Sequence, residues 1–178
     1  MDKPLFIFKN TRFLLLDVDG IMTDGKITYT NSGDELKSFS VYDGLGIKLL
    51  AEAGIGTGVV TARESEIVKK RCAELSISPV FQNIKDKSSV INIIEKDFNI
   101  KKENICFMGD DLIDLPLLKL CGIPVTVPNA CPEAKSLAKY LTENSGGSGA
   151  VREVCELILK SQNMWEMAVE KFSSPGVL

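Results

Sequence analysis

Short apolar runs alternate with longer amphipathic segments along the 178 residues of the chain. The runs 12–18, 56–62 and 105–109 are apolar on both faces, as strands buried in a parallel sheet are. Two shorter runs of the same kind cover 79–82 and 124–127. Helical periodicity is found at 44–53, 65–75, 85–98, 112–121, 133–139, 150–161 and 163–172. Repeated strand–helix alternation with short connections predicts one α/β domain, a parallel sheet with helices on both faces.

One stretch breaks this alternation. Residues 26–31 and 36–41 each alternate apolar and polar side chains, and the polar segment 32–35 joins them, which predicts a β-hairpin over 26–41. An isolated hairpin is marginal in water. We therefore expect hairpins to associate between subunits, although a hairpin folded onto its own domain is the alternative. The apolar residues offered to a partner are Ile27, Tyr29, Phe39 and Val41. The end of the chain, 173–178, is predicted to be a flexible tail.

The composition of the chain limits the partners, metal sites and catalytic mechanisms that it could have. A net charge of −3 argues against a nucleic-acid partner. Apolar runs of membrane-spanning length and a signal peptide are absent from the sequence, so a cytoplasmic location is expected. The five cysteines are scattered singly, and the sequence contains no histidine. These two facts exclude a zinc site and Ser-His or Cys-His catalysis, so any chemistry must rest on carboxylates, lysine, arginine and hydroxyls.

Side chains of these types follow four predicted strands, at the edge where ligands bind to parallel sheets. They are Asp17 and Asp19, Thr61, Lys87, and the acidic group Asp110, Asp111 and Asp114. Each is ordinary alone, since an aspartate at a strand end is commonly a helix cap and a helix lysine is commonly solvated. Their order on successive strand ends points instead to one site.

This set is sufficient for hydrolysis of a phosphate ester. Asp17 would be the nucleophile, and Asp19 would protonate the leaving alkoxide and then activate water. Thr61 and Lys87 would hold the non-bridging oxygens. An anionic nucleophile facing an anionic substrate needs a divalent cation, and Mg²⁺ prefers oxygen ligands. Asp17, the backbone carbonyl of Asp19 and the Asp110 carboxylate are the expected ligands.

The same residues resemble a known family. Asp17–Gly25, Thr61, Lys87 and Gly109–Asp114 are similar, in order, to the four motifs of the haloacid dehalogenase superfamily. Further segments resemble its subfamily of 3-deoxy-D-manno-octulosonate 8-phosphate phosphatases, so that the resemblance covers about residues 10–160. These segments are Val41–Gly46, Ile84–Lys87, Val127–Ala130 and Gly146–Glu153.

The resemblance implies a Rossmann-like fold without a cap domain, a Mg²⁺ cofactor and a homotetramer built through the hairpins. It implies release of 3-deoxy-D-manno-octulosonate, through an aspartyl-phosphate, for the inner core of lipopolysaccharide. It also implies a substrate site lined by Asp19, Ser40, Val41, Tyr42, Asp43, Gly44, Arg63, Arg71 and Lys87. Arg63 would bind the sugar-acid carboxylate, and a solvated Arg71 is the rival interpretation. Asp114, with Asp24 and Asp111 as weaker candidates, would orient water on the metal ion.

Three alternatives remain at this point. A response-regulator receiver domain would need an aspartate after the third strand, where this chain has Phe81-Gln82-Asn83. A catalytically inactive assembly protein on the same fold would be expected to have lost Asp17 or Asp19. A phosphatase of a nine-carbon ulosonate 9-phosphate would be expected to carry Gly-Glu where this chain has Ala62-Arg63.

Overall fold

A six-stranded parallel sheet forms the centre of the protein. The computed structural model describes residues 3–173, and the side chains of 5–171. The strands in spatial order are β5 (Val80–Phe81), β4 (Gly56–Val60), β1 (Phe13–Leu16), β6 (Ile105–Met108), β7 (Ile123–Thr126) and β8 (Tyr140–Leu141). All neighbouring pairs are parallel. The predicted parallel α/β fold is therefore confirmed.

Helices flank this sheet in two groups. They are α1 (Lys3–Phe8), α2 (Val41–Glu52), α3 (Glu66–Glu74), α4 (Val90–Phe98), α5 (Leu115–Leu120), α6 (Pro132–Leu137), α7 (Ala150–Ser161) and α8 (Trp165–Ser173). Helix α7 packs against α1, α2 and α8, whereas α5 packs against α6. Every residue of β1, β6 and β7 is buried. These strands read as continuous apolar runs because helices cover them.

The hairpin is shorter than the pattern predicted. Strands β2 (Thr28–Tyr29) and β3 (Glu35–Leu36) pair antiparallel, with Thr28 opposite Leu36. The prediction that a strand continues to Val41, followed by a helix from Gly44, is wrong. Helix α2 begins at Val41 because the Ser40 side chain accepts a hydrogen bond from the backbone N–H of Asp43, at 3.3 Å. Phe39, predicted to face a partner, packs against the domain's own core.

Two short elements were not predicted from the sequence pattern. Helix α1 and strand β8 each have six residues or fewer, and they meet where the Phe8 and Tyr140 rings stack edge-to-face at 5.4 Å. The predicted helices at 85–98 and 112–121 open instead with single 3₁₀ turns, at Lys87–Ser89 and Leu112–Asp114. The predicted tail begins inside α8, whose last residue is Ser173, and the rest of it lies outside the described residues.

Candidate active site

The carboxyl ends of three adjacent strands bring the predicted residues to one edge of the sheet. Leu16, the last residue of β1, pairs with Val59 on one side and Met108 on the other. Asp17 continues this register, its backbone N–H donating to the Met108 carbonyl at 3.0 Å. Thr61 directly follows β4 and is buried.

A chain of buried charges crosses this edge. Lys87 Nζ lies 2.5 Å from Asp17 Oδ1 and 2.6 Å from Asp114 Oδ1, and all three side chains are less than a tenth exposed. Burial acts to lower the pKa of Lys87, but the charges of Asp17 and Asp114 outweigh it and the pKa is raised. Lys87 therefore stays an ammonium between two carboxyl groups.

Asp114 fixes the loop that carries Asp110. Its second oxygen, Oδ2, accepts hydrogen bonds from the backbone N–H groups of Asp110 and Asp111, at 2.9 and 3.1 Å. Both carboxylate oxygens of Asp114 thus have protein partners. Its role in orienting water on the metal ion stays a prediction. The other two aspartates considered for that role are also bonded locally: Asp111 caps the turn at Leu112, and Asp24 pairs with Lys26.

A divalent cation fits between the acidic side chains. Asp17, Asp110 and Asp114 each place a carboxylate oxygen within 4.8 Å of the others. Asp110 Oδ1 is buried and has no hydrogen-bond partner among the described residues. Burial raises the pKa of both Asp17 and Asp110 to about 7; Lys87 counteracts this shift, and the charge of Asp114 adds to it. A buried Asp110 oxygen that lacks a hydrogen-bond partner in the described part of the chain, close to two further carboxylates, fits a hard cation such as Mg²⁺, which prefers oxygen ligands. Asp17 and Asp110 are thus close enough to share one ion, and their binding of it stays a prediction.

Gly20 makes this arrangement possible. The segment Val18–Met22 turns sharply at Gly20, whose φ of +98° lies in the left-handed region. A Cβ atom there would lie 2.1 Å from Asp110 Oδ2. Any larger residue would therefore strain the backbone and displace the carboxylate of Asp110.

The sequence did not predict the partners of Asp19. Its carboxylate is in contact with the ammonium of Lys37, which follows the hairpin strand β3. Arg63 Nε lies 3.9 Å from the other Asp19 oxygen, and Glu35 bonds to Arg63 at 3.0 Å. The sequence holds one sign of this contact, because in the predicted strand Lys37 lies on the same face as the apolar residues Phe39 and Val41.

Arg71 lies against the start of α2, and its side chain is 20% exposed. Its guanidinium donates to the Ser40 carbonyl at 3.3 Å and lies 5.8 Å from the centre of the Phe39 ring. A Cβ atom on Gly44 would be 2.5 Å from Arg71 Nη2, so Gly44 leaves room for this side chain. The structure thus brings Ser40, Gly44 and Arg71 together.

The remaining predicted substrate residues divide into two kinds. Val41 and Tyr42 are more than two-thirds exposed. Asp43 is buried, and its Oδ1 accepts the backbone N–H of Arg152 at 2.8 Å, which ties α2 to the first turn of α7. Burial raises the pKa of Asp43. A substrate contact by any of the three stays a prediction.

Comparison with known proteins identifies the family of this chain. Residues 79–154 match the model of a family described as haloacid dehalogenase-like hydrolase. The 3-deoxy-D-manno-octulosonate 8-phosphate phosphatase KdsC of Escherichia coli K12 is 40% identical over 160 residues, which are 90% of this chain and 85% of the relative. The chain belongs to the KdsC family of haloacid dehalogenase-like phosphatases.

Two solved structures extend the likeness to the KdsC fold. The enzyme of Moraxella catarrhalis was solved in complex with a magnesium ion, a phosphate ion and 3-deoxy-D-manno-octulosonate (KDO). It superposes on this chain with a TM-score of 0.92 at 39% identity, covering 97% of this chain and 99% of that one. The cobalt-bound enzyme of Haemophilus influenzae has a TM-score of 0.89 at 34% identity, covering 94% and 99%. Among the described residues of this KdsC-family chain, no helix is both long and apolar enough to cross a membrane.

Proposed function

We propose that this chain is a Mg²⁺-dependent phosphatase that converts 3-deoxy-D-manno-octulosonate 8-phosphate (KDO 8-phosphate) to KDO and phosphate. One observation carries the proposal. The ion-paired Asp17 and the buried Asp110 each place a carboxylate oxygen within 4.8 Å of the other, on a chain that matches nearly the whole length of a family member solved with magnesium, phosphate and KDO.

Asp17 and Asp19 have separate roles, as the nucleophile and as the general acid and base. The Asp17 carboxylate attacks phosphorus while the bond to the sugar oxygen breaks, and Asp19 gives that oxygen its proton. Water then attacks the resulting aspartyl-phosphate, and Asp19 takes the proton from that water. Lys87 keeps Asp17 oriented through their bond of 2.5 Å. Thr61 and Lys87 are proposed to hold the phosphoryl oxygens.

Asp17, Asp110 and the backbone carbonyl of Asp19 would hold the Mg²⁺ ion. When bound, the ion reduces the repulsion between the anionic nucleophile and the anionic phosphate. Two carboxyl groups whose pKa is raised to about 7 by burial need such a positive charge to be fully ionised near neutral pH.

Arginines supply recognition of the sugar acid. The Arg63 side chain is 39% exposed beside Asp19, and it is bonded to the carboxylate of Glu35 and to the Tyr29 side chain. A substrate carboxylate could take the place of Glu35 on the same guanidinium. Ser40, Gly44 and Arg71 would contribute further substrate contacts, together with the exposed Val41 and Tyr42.

Phosphate release from KDO 8-phosphate in the presence of Mg²⁺ tests the proposal. A nine-carbon ulosonate 9-phosphate measured in parallel tests the substrate, and Asp17→Asn supplies the control for the nucleophile. We expect Mg²⁺-dependent turnover with preference for the eight-carbon substrate and none by the variant. Preference for the nine-carbon acid would overturn the substrate but not the mechanism. Inactivity on both acids and on p-nitrophenyl phosphate would favour an assembly protein.

We also propose that the chain forms a homotetramer through its hairpins. Ile27, Tyr29 and Leu36 on the hairpin are each about half exposed or more, as is Val41 beside it, and such a cluster of apolar side chains favours association. Light scattering should give four chains per particle, and Tyr29→Lys should reduce that number. Phe6→Lys, which alters an equally exposed aromatic residue on α1, is the control and should not. A monomeric wild type would contradict the proposal.

A cytoplasmic location and a role in lipopolysaccharide inner-core synthesis complete the proposed function. All five cysteines are free thiols, as expected in a reducing compartment. The role follows from the proposed product, KDO, and detection of that product after reaction of the purified chain is the test.

A further inference from the structure

Lys37 is a buried charge with no role in the mechanism described so far. Its side chain is 1% exposed, although Leu36 before it is about half exposed. A lysine is rarely buried unless it is paired, and here the ammonium contacts Asp19 Oδ1 and lies 3.4 Å from Glu35 Oε1.

The contacts of Lys37 belong to a closed ring of four charges. Arg63 completes the ring, since it lies 3.0 Å from Glu35 and 3.9 Å from Asp19 Oδ2. Cations and carboxylates alternate, and each Asp19 oxygen has a cation beside it. The orientation of the Asp19 carboxyl group is thereby fixed from both sides. One of the two cations, Lys37, comes from the hairpin region and is shielded from solvent.

Proton transfer depends on such orientation. A general acid must lie within hydrogen-bond reach of the oxygen it protonates, and an aspartate free to rotate samples that geometry only part of the time. A contact between the Lys37 ammonium and Asp19 Oδ1, made before the substrate arrives, removes this disorder in advance and leaves Oδ2, 3.9 Å from Arg63 Nε, to carry the proton. Lys37 is well suited to the task because it is held in place by burial and by Glu35 as well as by Asp19.

We propose that Lys37 is a positioning residue that aims the Asp19 carboxyl group at the leaving oxygen. This inference rests on the proposed phosphatase function. Asp19 enters this step as the neutral acid, with Oδ1 bonded to Lys37 and the proton on Oδ2. As the Asp17–phosphorus bond forms and the phosphorus–oxygen bond breaks, that proton passes from Oδ2 to the departing oxygen. The Asp19 carboxylate left behind remains paired with Lys37, which keeps its own proton throughout. The hairpin region thus contributes to the chemistry of the same chain.

Leaving-group dependence separates positioning from a purely structural role. Phenyl phosphate and 2,4-dinitrophenyl phosphate have similar shapes, but only the basic phenolate of the first needs a proton to depart. Neither carries a carboxylate, so a change in the contact between Arg63 and a sugar acid does not affect the comparison. The quantity measured is kcat/KM for each ester at saturating Mg²⁺, which reports the first phosphoryl transfer.

Lys37→Met removes the charge and keeps the length of the side chain. We expect its kcat/KM to fall at least about tenfold further on phenyl phosphate than on dinitrophenyl phosphate, as a misplaced general acid requires. Lys26→Met is the matched control, because Lys26 lies in the same segment and pairs with Asp24 at 2.9 Å but is solvent-exposed. It should leave both values near those of wild type. Equal losses of Lys37→Met on the two esters, or no loss, would overturn the proposal.

Combination with Asp19→Asn provides the second test. If Lys37 acts through Asp19, the double variant should be within about threefold of Asp19→Asn alone, whereas independent roles would multiply the two losses. If Lys37→Met does not fold, Lys37→Gln and Lys37→Arg replace it. A leaving-group-dependent loss with glutamine that arginine restores would support positioning, and equal behaviour of the two would contradict it. Wild-type turnover of KDO 8-phosphate tests the proposed function separately.

Discussion

Lys87→Met is the substitution that most directly tests the buried charges of the site. Methionine has a similar length and no charge. The variant therefore loses the bonds of 2.5 Å to Asp17 and 2.6 Å to Asp114 and leaves two buried carboxyl groups side by side. Any effect reports the loss of charge, since the volume of the core hardly changes.

The expected loss of stability is large. Removing one partner of a buried ion pair costs about 3–5 kcal/mol, because a charge is left without compensation. In a domain of this size each kcal/mol lowers the melting temperature by about 2–4 °C, so the expected fall is about 6–20 °C.

The loss should also depend on pH. Burial raises the pKa of Asp17 from 3.8 to about 7 while Lys87 counteracts the shift, so removing Lys87 raises this pKa further. A carboxyl group with a raised folded-state pKa binds more protons in the folded protein than in the unfolded one. Its contribution to stability is therefore lost as the pH rises from the unfolded value towards the folded one. The deficit of Lys87→Met should thus be smallest in acid and grow towards pH ~8.

Thermal unfolding in EDTA at about pH 5.5 and about pH 8 measures both effects, with Lys85→Met as the exposed control two residues away. EDTA keeps metal binding from replacing the lost positive charge. A variant within about 1 kcal/mol of wild type at the higher pH would refute the assignment of a buried ion pair, as would a deficit that is equal at the two pH values.

Three further substitutions test other parts of the site and its frame. Gly20→Ala places a Cβ 2.1 Å from Asp110 Oδ2, so we expect the Mg²⁺ concentration for half-maximal activity to rise at least about tenfold. An unchanged Mg²⁺ requirement would contradict this crowding. Arg63→Ala should lower kcat/KM for KDO 8-phosphate much more than for p-nitrophenyl phosphate, and equal losses would rule out a carboxylate contact. Glu153→Ala removes a carboxylate that accepts hydrogen bonds from Tyr140 Oη and from three donors in residues 143–144. In unfolding assays the free energy of unfolding should fall by about 2–3 kcal/mol, whereas Glu166→Ala, at an exposed position, should hardly change it.

Much of the sheet could be predicted from periodicity because its strands are buried on both faces. The runs that became β1, β4 and β6 are bounded by polar turns, and the carboxyl ends of parallel strands share one edge. That rule predicts that Asp17 and Asp110 lie close together. Strand β8, with two residues, has no pattern of its own, so its place beside β7 depends on tertiary contacts.

The segment between the hairpin and α2 shows what periodicity cannot decide. Residues 36–41 alternate as a strand would, yet the helix starts at Val41 because a hydrogen bond from the Asp43 N–H to the Ser40 side chain outweighs β propensity. Lys37 was missed for a related reason. Its two carboxylate partners depend on how the hairpin folds back over the sheet edge, and spacing in the sequence does not encode that contact.

Identification of the phosphorylated residue tests the central claim most directly. The enzyme is mixed with Mg²⁺ and KDO 8-phosphate, stopped within one turnover and treated with borohydride, which reduces an aspartyl-phosphate to homoserine. The mechanism predicts that the peptide containing Asp17 carries this change, that it disappears without Mg²⁺, and that Asp17→Asn gives none. Complete hydrolysis of the substrate while Asp17 stays unmodified at every time point would contradict it.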